Sequence, residues 1–160
     1  MEILISNVVL SMREFQKNNG IKKQCVTNTQ YLYDTIKMNS INNVKAKAVF
    51  VLSCDNDTDT SVFVGGHLVV KLDDETIIDP SYDIFCLKNK SYFDNIKDLM
   101  DMFNDNDKVK LKSDVDIKKL VCDHIHFIKL AEQINNGQHT ITEKKFYDNQ
   151  ADYIEKIYSR

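Results

Sequence analysis

Three side chains of complementary chemistry stand apart along this sequence: a thiol at Cys25, an imidazole at His67 and a carboxylate at Asp79. A thiol attacks a carbonyl carbon once a neighbouring base has taken its proton, and the base serves best when a third group aligns its ring. Cys25 opens a segment with helical spacing. The free backbone amides and the dipole of a helix start favour a thiolate there, and the same amides can hold an oxyanion as it develops. Gln24 and Asn19 are candidate oxyanion donors, with Gln16 a third amide upstream. His67 is expected where a strand begins, and Asp79 where the next strand ends, ahead of Pro80, the only proline of the chain.

The elements that must carry these groups follow from periodicity. The segment EILISNVVLSMREFQKNNG places Ile5, Val8 or Val9, Met12 and Phe15 at helical spacing and stops at Gly20, a common helix exit. After a short basic link, CVTNTQYLYDTIKMNS reads as a second helix with Thr29, Leu32, Tyr33 and Ile36 inward and Cys25 opening it on that side. VKAKAVFVLS alternates and then turns apolar, as a strand does. SVFV leads through Gly65 and Gly66 into a hairpin whose strands are expected over residues 67–72 and 76–79.

Side chains alternate faces along a strand, so His67, Val69 and Lys71 share one side. Asp79 faces the same way only if Val69 lies opposite it, which requires an odd loop at residues 73–75. His67 and Asp79 are then diagonal neighbours, about 7–8 Å apart at the backbone. The same register pairs Leu72 with Thr76 and Val70 with Ile78, so the apolar pattern and the polar pair ask for one arrangement.

Beyond the hairpin, SYFDNIKDLMDMF reads as a helix from Ser91, with Leu99, Met102 and Phe103 as core. A long helix follows over DVDIKKLVCDHIHFIKLAEQI, ending near Asn136 and Gly137. A last amphipathic helix is capped by Thr140 or Thr142, with Phe146, Ile154 and Ile157 inward. The predicted class is α+β: two helices, a central antiparallel sheet of contiguous strands, then three helices. One domain over residues 1–160 is expected, its core at about 1–90 and a helical part at about 91–160.

A cysteine opening a helix, H-x-V-V beginning a strand at His67, and I-I-D-P-S closing the next strand at Ile77 resemble the transglutaminase-like branch of the papain-like cysteine hydrolases. The likeness covers roughly residues 24 to 82. It implies a papain-like fold with Cys25 as nucleophile, His67 as base and Asp79 as orienting acid. It also implies a peptide or amide substrate, cleaved by hydrolysis or passed to an acyl acceptor. The alternative is a catalytically silent papain-like scaffold that binds protein, favoured by a cysteine region without the Gly or Trp flanks usual in that family.

Other motifs weigh less. Cys54 follows an apolar strand and precedes an acidic loop, a setting that raises a thiol pKa, and Cys86 comes after the aspartate, in the wrong order. In CDHIH, Cys122 and His126 share a helix face while His124 points elsewhere, and a fourth zinc ligand is missing. DNDTDT starts like a calcium loop, but Thr60 and Gly66 stand where a glycine and a bidentate glutamate are needed. No metal and no cofactor is expected.

Composition bounds the remainder. With 160 residues, 42% hydrophobic and 28% charged, the chain can bury a core without disulfides or metals. A net charge of -3 and the absence of a basic stripe argue against nucleic acid as a partner. No apolar run approaches the roughly 20 residues of a membrane span, so no membrane partner is expected. MEILISNVVLSMREF lacks a basic leader and a cleavage site, and the four cysteines form no CxxC, so an intracellular, cytoplasmic setting with reduced thiols is expected. Arginine occurs only at positions 13 and 160 amid abundant Lys, Asn, Ile and Asp, the bias of an AT-rich genome such as that of a large DNA virus, a phage or a low-GC bacterium.

Overall fold

The computed structural model describes residues 2–39, 43–54, 62–73, 75–105 and 116–139, together with Asp148, Asn149 and Asp152. Helix α1 spans Glu2–Asn18 and α2 spans Cys25–Asn39; strands β1, Val44–Cys54, and β2, Val62–Leu72, follow. Then come β3 (Ile77–Ile78), α3 (Tyr82–Phe85), β4 (Lys90–Phe93), α4 (Ile96–Asp105) and α5 (Ile117–Asn135). The fold is α+β, with one four-stranded antiparallel sheet in the order β3-β2-β1-β4. No helix among the described residues is long and apolar enough to cross a membrane.

The chain resolves into two compact units: residues 1–47, 68–85 and 130–160 form the first, and residues 48–67 and 86–129 the second. In the first, α1 turns Ile5, Val8, Val9 and Met12 inward, and α2 buries Leu32, Tyr33 and Ile36, as their spacing predicts. Both long helices that end on a glycine do so by the same geometry. Gly20 (φ 62°) closes α1 with Ile21 N–H donating to Gln16 O at 2.9 Å. Gly137 (φ 78°) closes α5 with Gln138 N–H donating to Gln133 O, also at 2.9 Å. The left-handed turn lets the amides past the helix end satisfy its last carbonyls, and only glycine adopts it without strain. The first unit also joins α5 to β1: the Asn135 side chain accepts from Ala46 N–H at 2.7 Å and donates to Ala46 O at 3.0 Å.

The hairpin has the register its alternation predicts. Val70 stands opposite Ile78 and Lys71 opposite Ile77, and Leu72 N–H donates to Thr76 O at 3.0 Å. Glu75, at φ 68°, supplies the left-handed residue of the loop.

The second unit is built around Phe50, Leu52, Leu99, Phe103 and Leu120, with Val64, Phe93, Ile96, Met100 and Met102 packed against them. Each large side chain fully buried here contributes about 1.5–3 kcal/mol. Leu99 and Phe103 are core as expected, and Met102 is half-buried.

Four expectations need correction. Strand β2 does not begin at His67 but at Val62, and runs unbroken through both glycines. Their role is close packing: a Cβ on Gly66 would lie 3.2 Å from the Phe127 ring of α5, and one on Gly65 would lie 3.1 Å from the ring of Phe63 on its own strand. The second hairpin strand is shorter than residues 76–79, since the ladder holds only Ile77 and Ile78. Residues 91–93 are not helical: they belong to β4, where Phe93, Tyr92 and Ser91 pair with Phe50, Val51 and Leu52. Helix α4 starts later because Asn95 caps it, its Oδ1 accepting from Asp98 N–H at 2.9 Å. Finally, the strands are not contiguous in sequence, because α3 precedes β4.

Helix α5 begins after Asp116, whose Oδ1 accepts from Lys118 and Lys119 N–H at 3.0 and 3.3 Å. The acidic loop at residues 55–60 lies outside the described residues. So does the last predicted helix, Thr140 and Thr142, Phe146, Ile154 and Ile157 included, apart from the helical Asp148, Asn149 and Asp152.

Candidate active site

Cys25 is the first residue of α2 and is half-buried with a free thiol. The helix starts there because Gln24, half-buried, gives its carbonyl to Asn28 N–H at 2.9 Å, the first bond of the i to i+4 ladder. The chain reaches that point through Lys23, whose φ of 61° turns the backbone and whose N–H donates to Asp83 Oδ2 of α3 at 3.1 Å. Cys86 and Cys122 are exposed.

One turn into α2 the buried face is polar. Thr27, Asn28, Thr29 and Gln30 are buried in succession, where an amphipathic helix would expose half of them. Asn28 lies three positions after Cys25, on the same side of the helix. Its Nδ2 donates to Ser81 Oγ at 3.1 Å and to Gln16 Oε1 at 3.3 Å. Asn28 Oδ1 and Thr29 Oγ1 are buried with no hydrogen-bond partner among the described residues, an arrangement that costs desolvation energy.

Asp79 follows β3 directly and is buried, 4% exposed. Its Oδ1 accepts from Ser81 N–H at 2.9 Å, closing an Asx turn across Pro80. The turn is then held by α1. Arg13 donates to Asp79 O from Nε at 3.0 Å and Nη2 at 2.6 Å, and Gln16 Nε2 donates to Pro80 O at 2.8 Å. Gln16 Oε1 accepts in turn from Tyr82 N–H at 2.8 Å. The start of α2 and the turn that carries Asp79 are thus laced together inside one unit, through Asn28 to Ser81 and Lys23 to Asp83.

His67 lies on β2 in the second unit and is buried, 3% exposed. Of the upstream amides, Asn19 is exposed and donates from Nδ2 to Phe15 O at 2.8 Å. Gln16 is committed to the Asp79 turn through Pro80 O and Tyr82 N–H. Of the other imidazoles, His124 is buried and stacks on Phe50 with ring centroids 4.1 Å apart, while His126 is exposed. Burial lowers the His124 pKa, opposed by hydrogen bonding to the Asp94 backbone.

Arg13, Asn28 and Ser81 escape a reading by sequence alone. Each had a faint signal: one of only two arginines, an amide one turn after the thiol, and a hydroxyl next to the sole Asp-Pro. No family model, curated protein or solved structure matches this chain.

Proposed function

We propose that the chain is a thiol-dependent hydrolase or acyltransferase of the papain-like, transglutaminase-like kind, acting on an amide or peptide bond. Cys25 Sγ attacks the carbonyl carbon and backbone amides at the start of α2 hold the oxyanion. His67 passes the thiol proton to the leaving amine as the C–N bond breaks. Water, or an amine acceptor, then cleaves the thioester and restores the thiol. The observation that carries this reading is the lacing of the Cys25 helix start to the Asp79 turn, with Asn28 Nδ2 3.1 Å from Ser81 Oγ. His67, a buried imidazole on β2, takes the role of base by its order between Cys25 and Asp79 in the resemblance.

Iodoacetamide labelling at mildly acidic pH tests the proposal. The label is expected on Cys25, with Cys25→Ala abolishing it at unchanged circular dichroism and His67→Ala slowing it. Label on Cys54, Cys86 or Cys122 instead overturns the assignment.

A second reading, a silent scaffold that binds protein, is favoured by one observation. In the first unit a groove of about 480 Å³ lies between α1 and the hairpin edge, lined by Ile5, Val9, Leu10, Leu72, Ile77 and Ile78 among others, and it includes neither Cys25 nor Asp79. Cys25 that alkylates only at alkaline pH, as a free thiol does, supports this reading.

A further inference from the structure

Strand β3 ends at Ile78, so the sheet ladder stops one residue short of Asp79. A side chain that aligns a catalytic ring must be held to within about 0.5 Å and 10–20°, and a residue just past a two-residue strand needs that rigidity from elsewhere. Helix α1 supplies it. Arg13 and Gln16 are three positions apart and share a face of the helix. Between them they bind the carbonyls of Asp79 and Pro80 and the N–H of Tyr82. Gln16 is 1% exposed, and the Arg13 guanidinium is itself held 3.6 Å from the ring centroid of Phe85. The carboxylate is coupled to this grip by the Ser81 N–H on Asp79 Oδ1 at 2.9 Å. If the backbone of the turn shifts, that bond and the orientation it sets shift with it.

We propose that Arg13 and Gln16 are positioning residues, which fix the orientation of the Asp79 carboxylate by gripping the backbone around it. The assignment rests on the reading of Asp79 as the acid that orients His67. It explains why a buried glutamine uses its amide on both sides, as donor to Pro80 O and as acceptor from Tyr82 N–H.

Two readouts on the full chain test the grip. The first is amide hydrogen exchange at Ser81, whose N–H reports directly on Asp79 Oδ1. Gln16→Met and Arg13→Met each remove two hydrogen bonds to the turn and are each expected to speed it by about tenfold or more, while amides within β1 stay protected. Arg13 is only half-buried, so its variant keeps the test alive if Gln16→Met does not fold. The second is the pH profile of Cys25 carboxymethylation. Both variants, like Asp79→Asn, are expected to slow the reaction about tenfold at pH 6 and to match the unsubstituted chain at alkaline pH. Arg13→Lys, which keeps one donor, is expected to recover part of the loss.

Unchanged Ser81 exchange in both variants overturns the grip. So does faster exchange with an unmoved pH profile, which makes the contacts merely structural. An unsubstituted chain whose Cys25 shows no acidic reactivity fails differently: the nucleophile assignment falls, and the positioning role falls with it even if Ser81 exchange responds.

Discussion

The Asn28 amide donates to the Ser81 hydroxyl across 3.1 Å, joining residues 53 positions apart in sequence. The bond is buried and closes a polar network in which Gln16 takes part on the other side. Asn28→Ala leaves Ser81 Oγ and Gln16 Oε1 each short of a donor, at a cost of about 1–3 kcal/mol. Urea denaturation measures the loss. It is expected to be accompanied by slower Cys25 alkylation, because the same bond ties the helix that Cys25 opens to the Asp79 turn.

His124 makes the second unit sensitive to acid. Its imidazole is buried against Phe50, and burial holds its pKa below the ordinary 6.5. The unfolded chain therefore binds this proton more readily than the folded one. Stability is complete above about pH 6.5 and falls as pH drops from there through the lower folded value, since protons pull the equilibrium toward the unfolded state. Denaturation midpoints taken between pH 7.5 and 5 are expected to decline, and His124→Phe, which keeps a ring on Phe50, is expected to flatten this part of the decline.

Gly66 is a packing position. A methyl group there meets Cδ2 and Cε2 of Phe127 at 3.2 and 3.3 Å, so the ring must yield. Gly66→Ala is expected to cost about 1–2 kcal/mol. Combining it with Phe127→Leu should recover part of that loss, and the coupling in a double-mutant cycle reads the contact. Additive losses would count against it.

Asn135 imitates a neighbouring strand, offering Ala46 both an acceptor and a donor. Asn135→Ala strands a backbone N–H and a C=O of β1 and is expected to cost about 1–3 kcal/mol. Asn135→Asp keeps the acceptor and is expected to cost less at neutral pH. Thermal melts rank the two variants.

The legible parts of this chain are those that local rules decide. Alternation alone fixed Val70 against Ile78, because any slip by one residue would turn the apolar side of the hairpin outward. Gly20 and Gly137 marked helix exits for the same local reason, a backbone angle that other residues resist. The parts that stayed hidden depend on distant partners. Residues 91–93 carry a helix-compatible pattern and become a strand because Phe50, Val51 and Leu52 offer a ladder. The glycine pair reads as a break until Phe127 arrives over Gly66. Around the candidate site, residue types and order are visible in Cys25, His67 and Asp79, but no local rule announces that Gln16 will bind the backbone 64 residues on.

One border of the sheet is β3, two residues long, and Arg13 already occupies the carbonyl of Asp79 just past it. Pro80 comes next and has no N–H to offer. A foreign chain trying to add itself along this rim finds a couple of rungs, then a plugged oxygen, then an imino acid. Fibre-like stacking of copies is disfavoured along this margin, even in crowded solution, by the same contacts that hold the Asp79–Pro80 backbone.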